Sequence, residues 1–171
     1  MKFVALLRGI NVGGTGLLPM KDLAAMCDGL GFASVRTYIQ SGNVVFDSKL
    51  AEGKVKKLLE EALEKRMGKK IHVVVRTHAE LRRILDANPF ADKEPAKVGI
   101  SFLDGAPPAD LLKKVVAPTG EQVQLGEREV YVYYPIGMGQ SKLKMPLDAP
   151  TTVRNVNTVA RLAAMCESSN A

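Results

Sequence analysis

The chain has no tryptophan, only two histidines and two cysteines, and 5% aromatic residues in all. Each scarcity narrows the function. His72 and His78 lie six apart with no cysteine or carboxylate at ligand spacing, so no metal site is expected, and no cofactor fingerprint stands out. Cys27 and Cys166 form no CxxC or Cys/His pattern and are expected to be small buried hydrophobes in a reducing cytosol. A base-stacking RNA sheet needs paired aromatics on its two central strands. Here one central strand is wholly apolar and the other reads NVVFD. Long hydrophobic runs are also missing. The N-terminal FVALL stops at Arg8, well short of a signal-peptide core or a membrane span, and no later segment reaches spanning length. A cytoplasmic protein without membrane attachment is the expectation.

What is present suits a globular protein. The 171 residues are 46% hydrophobic and 25% charged, enough for one large or two small domains with a real core. The net charge of +6 is uneven. Residues 1–76 carry 13 Lys/Arg against 7 Asp/Glu, a balance of +6, and residues 77–171 carry 11 of each, a balance of zero. Such an excess allows an anionic partner, a small ligand or a nucleic acid. It also fits a solvated basic helix face around Lys54, Lys56, Lys57, Lys65 and Arg66.

Along the chain, FVALL reads as a strand buried on both faces. The glycine-rich loop RGINVGGTG (8–16) follows. Pro19 then opens a helix with Met20, Leu23, Met26, Cys27 and Leu30 at helical spacing, ending at Gly31. A hairpin is expected over 33–47, a second amphipathic helix ending near Gly68, and a strand at IHVVVR (71–76). This βαββαβ order is the ferredoxin-like unit. Beyond it the pattern predicts a helix at 78–87, a strand at 98–103 and a helix introduced by Pro107-Pro108 with Leu111, Leu112, Val115 and Val116 on one side. A hairpin around Gly126 follows, then a polar loop (137–150) and a final helix over about 152–166.

With these segments placed, the chain resembles the bacterial "domain of unknown function 1697" family. The resemblance rests on LLRGINVGG (6–14), TYIQSGNVVF (37–46), NPF (88–90), SKL (141–143) and TVRNVNTVARL (152–162). It implies an α+β fold of two ferredoxin-like domains in tandem with a C-terminal helix, here residues 1–76 and 77–171. It implies no accepted activity and no catalytic residues to carry over. The chain departs from the pattern in having Val156 where an aromatic is common and Lys144 where a small hydroxyl residue is more usual.

The topology gives the motifs a meeting place. In a βαββαβ unit the loop after the first strand, the hairpin tip and the loop after the second helix share one edge. Here these are RGINVGGTG, QSGN and Gly68-Lys69-Lys70, beside the start of the first helix, whose N–H groups favour an anion. The loop is no Walker motif, because Gly9 to Gly14 is followed by Thr15-Gly16, and it does not match GxGxxG. Candidate ligand-binding residues are Arg8, Asn11, Gly13, Gly14, Ser41, Asn43 and Lys70. A second cluster comprises Ser141 and Lys142 with Arg154 and Asn157, the last two placed with Thr158 and Arg161 on one helical stripe. A two-residue turn at Ser41-Gly42 would pair Ile39 with Val44, Gln40 with Asn43, Tyr38 with Val45 and Arg36 with Asp47.

Three functions stay open on these residues. One is binding of a small anionic or nucleotide-like ligand, or a nucleic-acid phosphate, at the loop edge. Another is an enzyme acting on a phosphorylated or nucleotide substrate through a nucleophile such as Ser41, although Ser41 lies in no GxSxG elbow. The last is a structural role in which the motifs lock the two halves together.

Overall fold

A computed structural model describes residues 1–14 and 16–168; Thr15 of the glycine-rich loop, used above to set that loop apart from Walker motifs, lies outside them. The chain is mixed α+β, with two four-stranded antiparallel sheets and five helices among the described residues. It divides into two compact units. One is Met1–Arg82 with Arg161–Ala171, and the other is Arg83–Ala160. The segment from Arg161 onward thus groups with the first unit, whereas the sequence expectation kept 77–171 together.

The first unit runs β1 (Lys2–Leu7), α1 (Met20–Gly29), β2 (Ala33–Tyr38), β3 (Asn43–Asp47), α2 (Glu52–Met67) and β4 (Val73–Thr77), with strand order β2-β3-β1-β4. Strand alternation splits the apolar residues between two faces. Phe3, Ala5 and Leu7 of β1 join Val44, Phe46, Val73 and Val75 against Leu23 and Cys27 of α1 and Val55, Leu59 and Leu63 of α2. Phe32 stacks on Phe46 with ring centroids 4.4 Å apart. Full burial of each valine, leucine or phenylalanine among them contributes about 1.5–3 kcal/mol. Helix α2 ends at Gly68, whose left-handed backbone (φ 74°) lets its N–H reach the Glu64 carbonyl at 2.9 Å.

The opposite face of this sheet is buried too, through Val4, Leu6, Val45 and Val74. Its cover includes the C-terminal part of α5 (Val156–Ser168), which carries buried Leu162, Ala163, Met165 and Cys166. Lys2 donates to the Cys166 carbonyl at 2.8 Å, Arg36 donates to the Met165 carbonyl, and Arg82 holds Glu167 at 2.8 Å. Cations thereby satisfy carbonyls that a helix end leaves open. Both cysteines are buried, and burial pushes the thiols up to about 12 (Cys27) and about 11 (Cys166), so they stay protonated and unreactive.

Helix α3 (His78–Asp86) begins in the first unit and ends in the second, which continues with β5 (Val98–Phe102), α4 (Leu111–Lys114), β6 (Gln122–Leu125), β7 (Glu129–Tyr133) and β8 (Thr152–Asn155); strand order is β6-β7-β5-β8. Numbered within each unit, the two sheets share one order. Two sequence expectations are corrected here. The helix after Pro107-Pro108 is a single turn. Val116 instead exchanges backbone hydrogen bonds with Lys144, both 2.9 Å, and Leu112 and Val116 are half exposed. The final helix does not start near Thr152. Residues 152–155 are an edge strand on β5, and Asn155 then accepts the Thr158 N–H at 2.9 Å as the helix cap.

Two buried carboxylates organise turns of this unit. Glu129 accepts the Glu127 and Arg128 N–H groups at 3.1 and 3.0 Å across the β6–β7 turn. It lies so close over Gly126 that a Cβ there would come within 2.5 Å of its carboxylate. Glu121 accepts the Thr119 N–H at 3.1 Å, the Thr119 hydroxyl and the Ser141 hydroxyl at 2.9 Å. These bonds, that of the Thr119 side chain foremost, hold the Glu121 carboxyl down at about 2 against an ordinary 4.5. A carboxyl depressed on folding stabilises the native state above its ordinary pKa. That contribution is lost as pH falls from about 4.5 towards 2. Glu121→Gln is therefore expected to flatten the acid limb of a stability-versus-pH curve in that window, read by urea melts at stepped pH.

Candidate functional site

The first unit brings its three edge segments together. Register places Leu6 opposite Asn43, Leu7 opposite Val73 and Tyr38 opposite Asn43, so the loop after β1, the hairpin tip and the loop before β4 leave the sheet side by side. Backbone bonds join them: the Leu7 N–H reaches the Gly42 carbonyl at 2.8 Å, and the Arg8 N–H reaches the His72 carbonyl at 3.0 Å. The glycine-rich loop is no slack connection, since Ile10 within it and Leu18 just beyond it are buried in the core.

Asn11 ties this loop to the hairpin. It holds a left-handed backbone (φ 54°). Its carboxamide donates to the Leu18 and Gln40 carbonyls at 3.0 and 2.8 Å and accepts the Leu18 N–H at 2.7 Å. Asn43 is fully buried and donates to the Tyr38 carbonyl at 2.8 Å and the Ser41 hydroxyl at 2.9 Å. Both amides, singled out in the sequence as ligand groups, direct these donors inward and shape the edge.

The hairpin register is a correction. Tyr38 pairs with Asn43, Thr37 with Val44 and Arg36 with Val45, so the connection spans Ile39 to Gly42 and not Ser41-Gly42 alone. The expected pairs Ile39/Val44, Gln40/Asn43, Tyr38/Val45 and Arg36/Asp47 do not form. The longer turn lets the Asn43 amide reach the Tyr38 carbonyl, with Ile39 in a left-handed conformation (φ 51°). Gly42 needs its hydrogen, because it has φ 91° and a Cβ would meet Ile10 at 2.6 Å.

Arg8, Gly13, Gly14, Lys69 and Lys70 are exposed at this edge. The segments 8–19, 39–43 and 68–72 contain Arg8, Lys69 and Lys70 and no aspartate or glutamate. The Lys69 Nζ lies 3.4 Å from where a Cβ on Gly16 would sit, so this cation overhangs the loop. Val12, Leu17 and Ile39 are exposed on the same segments. The start of α1 contributes less than its dipole suggests, since its first turn carries Asp22, paired with Arg66 at 3.0 Å.

The second cluster is dispersed. Ser141 accepts the Leu143 N–H at 3.1 Å and donates to Glu121, holding the 137–150 loop in place. Lys142 is exposed. Arg154 lies on β8 opposite Ile100 and so leaves the helical stripe; burial pulls its guanidinium down to about 10. Asn157 is exposed in the first turn of α5. The loop that looked irregular in the sequence alternates inward Leu143, Met145 and Leu147 with exposed Lys142, Lys144 and Pro146. That period of two was a legible signal of extended chain. Among the described residues no three His, Cys, Asp or Glu side chains are grouped to hold a metal, and no helix is long and apolar enough to cross a membrane.

Because Asn43 is fully buried, Asn43→Ala is expected to lose roughly 1–3 kcal/mol of stability by leaving the Tyr38 carbonyl without this donor. Chemical denaturation checks it, and the half-exposed Ile39→Thr in the same turn should change stability by less than about 0.5 kcal/mol.

The model of a family described as "Protein of unknown function (DUF1697)" matches residues 1–131. Curated proteins yield no match. Among solved structures, the chain is similar to the conserved bacterial protein SP0830 from Streptococcus pneumoniae, at 21% identity and a TM-score of 0.81, over 96% of this chain and 98% of that one. At that identity the likeness shows a shared fold. From the family match over most of its length, the chain belongs to the DUF1697 family of proteins of unknown function.

Proposed function

We propose that the first unit is a cytoplasmic binding module for a phosphorylated, nucleotide-like ligand or a nucleic-acid phosphate, held at the edge formed by the loops after β1, β2 and α2. The unit reads as ferredoxin-like, from its βαββαβ order and its antiparallel β2-β3-β1-β4 sheet. One observation carries the function: three adjoining segments present Arg8, Lys69 and Lys70 without any carboxylate. Exposed backbone at Gly13 and Gly14 lets a ligand approach closely. Exposed Val12, Leu17 and Ile39 offer an apolar rest for the non-phosphate part.

On this reading Asn11, Asn43 and Ser41 are positioning residues. They hold the rim while the cations and backbone amides meet the ligand. A nucleophilic Ser41 fits less well. Its hydroxyl receives the Asn43 amide, which is no base. The two buried, protonated cysteines are at home in a reducing compartment.

A thermal-shift screen of nucleotides, sugar phosphates and short oligonucleotides tests the proposal. At least one class is expected to raise the melting temperature. Lys69→Ala with Lys70→Ala should weaken that ligand about tenfold or more, since a charge-assisted hydrogen bond contributes about 1.5–3 kcal/mol. No shift with any class, or binding unaffected by the double variant and by Arg8→Ala, would sink it.

A further inference from the structure

A groove of about 640 Å³ opens in the first unit, away from the phosphate edge proposed above. Its floor is made by three successive residues of β2, Val35 to Thr37. Arg36 and Thr37 pair regularly with β3 and so point to opposite faces, and a groove touching both must run along the strand's edge. That edge is open: among the described residues β2 ends the sheet and pairs with β3 alone. Ala24 of α1 forms one wall, on the face where Val35 packs into the core. Arg161, Ala164 and Met165 of α5 form the other, on the face where Arg36 donates to the Met165 carbonyl. The small side chains of Ala24 and Ala164 leave the strand edge uncovered between the two helices.

An open strand edge offers outward N–H and C=O groups in alternation, the complement of another extended backbone. Natural edges are usually blunted by lysine, proline or a bulge. In β2 the irregularity falls between Ala33 and Arg36, with Ser34 at φ 52°, and residues 36–38 pair regularly with β3. Among the described residues, the charged side chains lining the groove are Arg36 and Arg161. The Arg161 guanidinium lies 6.0 Å from the Tyr38 ring centroid, which aligns it with the strand. Guanidinium pairs of this kind select carboxylates.

We infer that this groove binds an extended acidic peptide, which adds to the edge of β2 while its carboxylates meet Arg36 and Arg161. The site is independent of the phosphate edge.

Selection of random heptapeptides on the full-length protein tests this, followed by fluorescence anisotropy of the enriched peptides. The expected result is enrichment of sequences with Asp or Glu among β-branched residues. Affinity should fall at least tenfold in Arg161→Glu and in Ala164→Leu. Both positions are exposed, so an unchanged melting temperature certifies the fold of each variant. Peptide addition should also shift the amide resonances of Val35 to Tyr38 and slow exchange of those facing outward. Three outcomes overturn the inference: no acidic enrichment, selected peptides that bind Arg161→Glu as well as the parent, or a dimer in sedimentation that Ala164→Leu abolishes, which would make the occupant a second copy of this chain.

Discussion

A carboxamide removed from water has to find partners, and at Asn43 that requirement sets the shape of the whole loop edge. The side chain is fully buried at the first position of β3 and reaches back across the turn to the Tyr38 carbonyl and Ser41. Meeting those partners stretches the turn to four residues. The longer turn places the Gln40 carbonyl beside Asn11, whose amide then ties the glycine-rich loop to the hairpin. The Gly42 carbonyl in turn receives the first N–H beyond the β1–β3 pairing, that of Leu7. Three loops distant in sequence become one rim through backbone and amide bonds, leaving the charged side chains of Arg8, Lys69 and Lys70 to face solvent.

The two units use one strand order with unequal helical layers. In the first, α1 and α2 bring five buried apolar side chains to a single sheet face. In the second, α4 is a single turn, and the chain from Met138 to Leu147, a short 3-10 turn followed by extended residues, supplies the apolar cover. Beyond the 3-10 bond from the Ser141 N–H to the Met138 carbonyl at 3.3 Å, that chain's polar groups need partners elsewhere. Glu121 is one of them, accepting the Ser141 hydroxyl while it closes the turn at Thr119.

Much of the fold was legible because it follows from period and punctuation. The run of FVALL, the i, i+3, i+4 spacing in α1 and α2 and the glycines that end them reproduce the first unit strand for strand. The misreadings share one cause. At Ile39–Asn43 the alternation was right on the strands, but the preference of a buried amide for a particular carbonyl has no signature in hydropathy. At Thr152–Asn155 the valine spacing fits a helix, yet the unpaired edge of β5 claims the segment, and Asn155 caps the helix only afterwards. At Leu111–Val116 the apolar stripe exists, but Val116 finds Lys144 across the chain and leaves the helix.

The same division runs through the candidate sites. Residue type and charge balance by themselves determined that the first half carries the positive excess, that glycine, amide and lysine motifs lie on three connections, and that those connections share an edge in a βαββαβ unit. Tertiary structure decided which groups face outward. It turned Asn11 and Asn43 into fastenings, moved Arg154 onto a strand, and opened a groove between Arg36 and Arg161, residues 125 positions apart. The physical reason is that burial and hydrogen-bond satisfaction are settled between segments distant in the chain, while local sequence governs only spacing and backbone preference.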